Sequence, residues 1–198
     1  MKPITCVFFG RSGAGKGTQA NLLIEKLKTV DPENKTVYIE TGERFRKFIS
    51  SSDSYAATLV NEVLSSGGLL PAVLPIWMWA SIFVESVGEK EHVVMDGVAR
   101  RGEEAPILDS AIQFFRRPAP AIIFIDTSTD EATKRLIARG RSDDKKEKIE
   151  ARLKWFEDNV MDSVRYFEKN AHYRFIKING DQSVEKVQQD IEDALGVR

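Results

Sequence analysis

Cysteine and histidine are nearly missing from this chain. The one cysteine, Cys6, cannot close an internal disulfide, and the two histidines, His92 and His172, stand far apart in sequence. A zinc site draws on several such ligands, so none is suggested. Cys6 lies in the apolar run ITCVFF, where a buried, inert thiol is expected rather than a nucleophile. Charge of one sign is missing too. Lys and Arg number 29 against 30 Asp and Glu, a net charge of −1, so no overall basic field favours nucleic acid or a membrane surface. No run of about 20 apolar residues could span a bilayer. The N-terminal MKPITCVFFG holds too short an apolar run for a signal peptide, and the expectation is a cytoplasmic protein. Repeats and low-complexity segments are absent from the sequence.

What remains is an ordinary globular composition, 42% hydrophobic and 30% charged over 198 residues, which suits one domain with small insertions. Short apolar runs at 4–9, 36–40, 92–96, 121–126 and 174–178 read as strands. Their near-continuous hydrophobicity suits strands covered on both faces, as in a parallel sheet. Helical patterns separate them at 16–28, 129–139, 145–169 and 183–195; the third carries Ile149, Leu153, Phe156 and Val160 on one stripe. Strand alternating with helix predicts an α/β fold with a doubly wound, five-stranded parallel sheet. Gly67-Gly68 through Pro71 and Pro75 mark loops inside a middle insertion.

The first strand runs into Gly10-Arg11-Ser12-Gly13-Ala14-Gly15-Lys16-Gly17-Thr18 and then a helix. Glycines let backbone N–H groups turn inward as an anion nest, and the helix N-terminus adds its positive end. Lys16 would reach the β- and γ-phosphates of a donor nucleotide. The strict pattern has Ser or Thr directly after the lysine; here Gly17 intervenes before Thr18. A plain glycine-rich turn with a solvated lysine is the alternative, and the agreement of strand, glycines, lysine and helix argues against it. The loop by itself does not name an acceptor.

The Lys-Gly-Thr-Gln run resembles the adenylate kinase family, whose loop reads G-x-P-G-x-G-K-G-T-Q. Further matches follow in order. Thr41-Gly42-Glu43-Arg44-Phe45-Arg46 is similar to T-G-D-x-x-R, Gly67 to Pro71 to G-x-L-V-P, and Asp96-Gly97-Val98-Ala99-Arg100 to D-G-F-P-R. Arg139, Arg141, Asp143, Asp144 and Arg152 resemble the lid arginines, the Asp pair and the helical arginine. The resemblance implies a phosphate-loop kinase with a core over 1–40, 90–138 and 145–198, a helical acceptor-binding insertion over about 41–89, and a very short lid over about 139–144. It implies transfer from ATP to a nucleoside monophosphate, with Lys16, Arg100, Arg139, Arg141 and Arg152 catalytic. ATP would meet Gly10, Ser12, Gly13, Ala14, Gly15, Lys16, Gly17, Thr18, Arg139 and Gly180. The monophosphate would meet Thr41, Gly42, Arg46, Leu69, Leu70, Gly97, Arg100, Glu104, Arg141 and Arg152. Asp96 would hold Mg²⁺ through water. Monomer is the family-based expectation, with no nucleic-acid or membrane partner. The chemistry agrees: phosphoryl transfer asks for positioning and charge neutralisation, and arginine forks bind phosphate oxygens in pairs.

The chain departs from that pattern in three ways. Ser12 and Ala99 stand where the family has proline, which is expected to loosen both loops. Only Gly140 separates Arg139 from Arg141, shortening the lid, and no cysteine quartet is present for a zinc lid. Glu104 replaces the adenine-reading glutamine. A glutamine amide accepts from adenine N6–H and donates to N1, whereas a carboxylate only accepts and matches guanine N1–H and N2–H. Thr41 fits the adenylate type, so AMP is the first reading; GMP or relaxed specificity is the alternative, as is contact through Glu103 or Gln113. A non-catalytic nucleotide sensor and a kinase for a sugar or hydroxy acid are the other classes. Trp77, Trp79 and Phe83 are expected to pack the insertion's small core or a partner, and Phe45 to be core. Lys145, Lys146 and Lys148 are expected on a solvated helix face.

Overall fold

The computed structural model describes residues 1–140 and 146–197, so Arg141, Asp143, Asp144 and Lys145 lie outside the described residues. Five strands form one sheet: β1 (Thr5–Phe9), β2 (Thr36–Glu40), β3 (His92–Asp96), β4 (Ala121–Asp126) and β5 (Arg174–Asn179). Their order is β2-β3-β1-β4-β5, and every neighbouring pair is parallel. Cys6 and Phe8 of β1 join one buried cluster while Val7 and Phe9 join another. Both faces are therefore apolar, and the strand reads as an unbroken hydrophobic run.

On one face lie α1 (Lys16–Val30) and α9 (Val184–Leu195), which bring Leu23, Leu27, Val187 and Ile191 onto Cys6, Phe8 and Ile123. On the other lie α4 (Val73–Ser86), α5 (Ala105–Phe114) and α8 (Met161–Glu168), with Phe83, Leu108, Ile112 and Phe167 against Val7, Met95 and Ile122. Between β2 and β3 the chain also forms α2 (Thr41–Ser51) and α3 (Tyr55–Ser65). These share a small third cluster of Phe45, Val60, Leu70 and Met78. Helix α6 (Thr129–Arg139) follows β4, and α7 (Lys146–Trp155) leads through a π-turn at Phe156–Val160 into α8. The chain winds from β1 towards β2 on one side and towards β5 on the other. The crevice beyond the carboxyl ends of β1, β3 and β4 is thus the topological switch point.

Two expectations need correction. Trp79 and Phe83 do not pack the insertion's own small cluster; both are buried in the main core against the sheet, and α4 is rooted there. Trp77 is 53% exposed and meets Phe48 edge to face, at 6.1 Å between centroids. The stretch 145–169 is not one regular helix, because the π-turn resets its phase. Met161 N–H donates to the Phe156 carbonyl, and the Asn159 side chain takes up the Trp155 carbonyl at 3.1 Å. His92 is structural: it accepts from the Ile4 N–H at 3.0 Å, with Nε2 3.3 Å from Asp31. Cys6 is fully buried and its thiol pKa is pushed up by that burial, in line with an inert group. Among the described residues no helix is long and apolar enough to cross a membrane.

Core position and exposure predict unequal effects of the two tryptophans. Trp79→Ala should cost about 3–5 kcal/mol, and Trp77→Ala about 0.5 kcal/mol or less, as read by urea unfolding.

Candidate active site

The loop from Gly10 to Lys16 turns because its glycines take left-handed backbone angles, with φ of 85° at Gly13 and 89° at Gly15. At Gly13 a Cβ would lie 2.4 Å from the Ala132 carbonyl oxygen, so the loop sits flush on α6. Lys16 opens α1 and folds its ammonium back into the loop, donating to the Gly10 carbonyl at 2.8 Å and the Arg11 carbonyl at 3.1 Å. Burial there lowers its pKa to about 8; Asp96 and Glu40 oppose the shift, while Arg100 and Arg139 add to it.

Ser12 stands at the proline position, yet the loop is tethered by its neighbour. Arg11 donates to the Thr129 hydroxyl at 2.7 Å and to Glu157 at 2.8 Å, with its guanidinium 5.5 Å from the centre of the Phe156 ring. A side chain from the loop thus grips α6 and the π-turn where the family has a stiff backbone.

Asp96 ends β3 and faces Gly17, whose Cβ, if present, would stand 3.4 Å from Oδ2. That is ordinary contact distance, so a Cβ would fit there and packing does not account for Gly17. Asp96 Oδ1 is buried without a hydrogen-bond partner. Past it, the Gly97 carbonyl accepts from Thr41 Oγ1 at 2.7 Å and from Arg100 Nε at 2.9 Å. Ala99, the second missing proline, has φ of 49° and is fully buried. Proline cannot take that angle, so the substitution changes the path of the loop and does more than loosen it.

A cleft of about 1040 Å³ runs across this crevice. Ser12, Gly13, Ala14, Gly15, Lys16, Gly17, Thr18, Gly42, Arg46, Asp96, Arg100, Arg139 and Arg152 all line it. Arg46 comes from α2 beside Gly42, Arg139 from the last turn of α6, and Arg152 from α7. Gly10 and Gly97 line a smaller adjoining cavity with Lys16 and Arg100. Five of the named residues do not line either space: Thr41, Leu69, Leu70, Glu104 and Gly180. Thr41 and Leu70 are buried, and Gly180 is pressed against Thr127, leaving no room for a side chain. Arg141 lies outside the described residues.

Glu104 is only 1% exposed. One carboxylate oxygen accepts from the Arg101 N–H at 3.2 Å, in a reciprocal cap on the 3-10 turn Gly102–Glu104; the other has no partner. Burial raises its pKa to about 7, against the pull of Arg100, Arg101 and their backbone N–H groups.

Two cleft cations escape the sequence reading. Arg135 precedes Arg139 by one turn, shares its face, and also holds the Gly180 carbonyl at 2.9 Å. The four-residue spacing to Arg139 was the available signal. Lys148, expected on a solvated face, instead lines the cleft, with its Cβ 3.6 Å from the position a Cβ on Gly67 would occupy.

A glycine loop on a parallel sheet, facing a cleft lined with arginines, defines a phosphate-loop phosphotransferase. A model of the family described as adenylate kinase matches residues 8–172. The adenylate kinase of Corynebacterium glutamicum is 30% identical over 190 residues, covering 96% of this chain and 98% of that protein. Adenylate kinase 1 of a Nostoc species is 29% identical over 190 residues, covering 96% and 97%. The uridylate kinase of Saccharomyces cerevisiae is 28% identical over 193 residues, covering 94% and 87%. This chain belongs to the adenylate kinase family.

Two measurements probe the geometry. Ala99→Gly should raise stability by about 1 kcal/mol by relieving the left-handed angle, whereas Ala99→Pro should lower it by more, since proline fixes φ near about −65°; urea unfolding reads both. Lys16, with its pKa at about 8, is partly neutral in the free protein at pH 8, and a bound triphosphate would restore its proton. ATP binding should therefore take up roughly half a proton at pH 8 and almost none through this group at pH 6.5. Calorimetry in two buffers of different ionisation enthalpy reads the uptake, and Lys16→Met should abolish it.

Proposed function

We propose that this phosphotransferase moves the γ-phosphoryl group of ATP to a nucleoside monophosphate, with AMP the first acceptor: ATP + AMP ⇌ 2 ADP. One observation carries the reading. A single cleft, large enough for two nucleotides, is lined by Lys16 and the glycine nest together with Arg46, Arg100, Arg139 and Arg152. In this reading the nest and Lys16 hold the donor phosphates. Arg46 and Arg100 hold the acceptor phosphate, whose oxygen is already ionised and attacks the γ-phosphorus as the bond to the β-phosphate oxygen breaks. Arg139, Arg141 and Arg152 neutralise charge spread over the transferring group. Closure of the short lid over 139–144 and of the insertion over 41–89 excludes water.

Asp96 suits Mg²⁺: its Oδ1 is buried and unpaired, and its carboxylate lines the cleft beside Gly17, within electrostatic reach of Lys16. Among the described residues no three His, Cys, Asp or Glu side chains gather into a metal cage. One carboxylate acting through water, with phosphates supplying most other ligands, matches how magnesium is commonly held beside nucleotides. When bound, Mg²⁺ would screen the charge on the phosphates. We also infer a cytoplasmic protein that works as a monomer.

Glu104 lines neither space here, so in this proposal it reads the base only once acceptor binding opens a path to its buried, unpaired oxygen, and its raised pKa then bears on the choice. A neutral carboxyl donates one hydrogen bond and accepts another, the same pattern as glutamine, and so suits adenine N1 and N6–H. The ionised form only accepts and suits guanine N1–H and N2–H. With the carboxyl titrating at about 7, neutral below and charged above, AMP should be favoured in acid and GMP should gain as pH rises. Diphosphate formation from Mg·ATP with AMP, GMP, CMP, UMP and dTMP, run at pH 6 and pH 8, tests both parts. The expected result is turnover with AMP and a fall of about threefold or more in the AMP-to-GMP ratio of kcat/KM between the two pH values, flattened in Glu104→Gln. An unchanged ratio would remove Glu104 as reader, and no turnover with any acceptor would end the kinase reading.

A further inference from the structure

The segment Gly67–Pro71 joins α3 to α4, and both ends of that junction are well determined. Helix α3 stops in a paired glycine cap: the Gly67 N–H donates to the Leu64 carbonyl at 3.1 Å and the Gly68 N–H to the Val63 carbonyl at 2.9 Å, with Gly67 at φ of 77°. Helix α4 is rooted in the main core through Trp79, Ile82 and Phe83. What can swing is therefore α2 and α3, held by the small cluster of Phe45, Val60, Leu70 and Met78, and this segment is one of their two pivots.

Three carbonyls of the pivot are taken by side chains from outside the insertion. Arg101 Nη2 donates to the Leu69 carbonyl and Nε to the Leu70 carbonyl, both at 3.0 Å. Trp155 Nε1, from the end of α7, donates to the Gly67 carbonyl at 3.1 Å. Arg101 is itself fixed at its main chain. Its carbonyl accepts from Ser163 Oγ at 2.9 Å, and its N–H donates to Glu104 at 3.2 Å. The residue before it is Arg100, which lines the cleft. One peptide thus links a phosphate-facing guanidinium to a second guanidinium that grips the pivot, and a rigid fork meets both carbonyls where a lysine could meet one.

We infer that Arg101, supported by Trp155, is a positioning residue that clamps the pivot of the acceptor insertion and thereby sets affinity for the nucleoside monophosphate without touching it. The inference rests on the kinase reading for its link to the acceptor. The clamp itself is a separate physical claim. It acts on the acceptor side alone, because the donor side is built from the glycine loop and α6, which Arg101 does not contact through any hydrogen bond found among the described residues.

The test uses the full chain with Arg101→Met, Arg101→Lys and Trp155→Phe. Measured are the AMP KM and kcat at saturating ATP, the ATP dissociation constant at equilibrium, the thermal midpoint, and amide exchange over residues 66–70. For Arg101→Met the expected result is an AMP KM raised about tenfold with kcat within about twofold, an unchanged ATP dissociation constant, and exchange at 66–70 faster by about tenfold. Arg101→Lys should recover part of the KM, and Trp155→Phe should speed exchange at the same segment. An AMP KM within twofold of the parent, or an ATP affinity and midpoint that fall together with it, would overturn the positioning role. If the parent turns over another monophosphate in place of AMP, the same KM comparison is made with that acceptor; if it turns over none, the kinase reading fails and exchange alone decides, a segment 66–70 no faster in Arg101→Met overturning the clamp as well.

Discussion

The structure depends on keeping one ammonium in a place crowded with positive charge. Lys16 sits where Arg100 and Arg139 push against its proton and where burial penalises the charge. Its survival rests on the Gly10 and Arg11 carbonyls turned towards it, and on Asp96 and Glu40 nearby. Those carbonyls can turn only because the glycines around them accept left-handed angles. The loop is thus shaped as a cation holder before any nucleotide arrives, and incoming phosphates complete the balance that the protein leaves unfinished.

The other elements follow from that crowding. Arg46, Arg139 and Arg152 come from three separate helices and Arg100 from the loop after β3, and all four reach the cleft. Dispersing them in sequence lets each be supported locally, as Arg100 is by the Gly97 carbonyl. It also leaves the cationic wall divided among parts that can approach one another once anions lie between them. Arg11, tied to Thr129 and Glu157, keeps the glycine loop in register with α6 and the π-turn.

Much of this is legible in the chain because the signals are local. The strands announce themselves by unbroken apolar runs, since Val7 and Phe8 are buried on opposite faces alike. The glycine loop is contiguous, so its chemistry can be read off directly. Other features depend on partners distant in sequence. Arg101 looks like any surface arginine until the fold brings it to carbonyls more than 30 residues away. The stripe Ile149, Leu153, Phe156 and Val160 fits a plain helix, and the π-turn that alters its phase leaves no periodic trace. Ala99 reads as a softened loop, whereas its angle excludes proline altogether. Glu104 reads as a polar residue open to a ligand, whereas the fold buries it and ties it into a cap on the 3-10 turn.

The solitary thiol has a practical consequence. Cys6 lies in the central strand, sealed under α1, and burial keeps it from ionising. Thiol-directed dyes react through the ionised, accessible form. The natural chain is therefore chemically silent towards maleimides, and a pair of cysteines introduced on α3 and α7 would be the only sites labelled. Distances across the cleft could then be followed on single molecules in the otherwise native protein, with no background mutation needed.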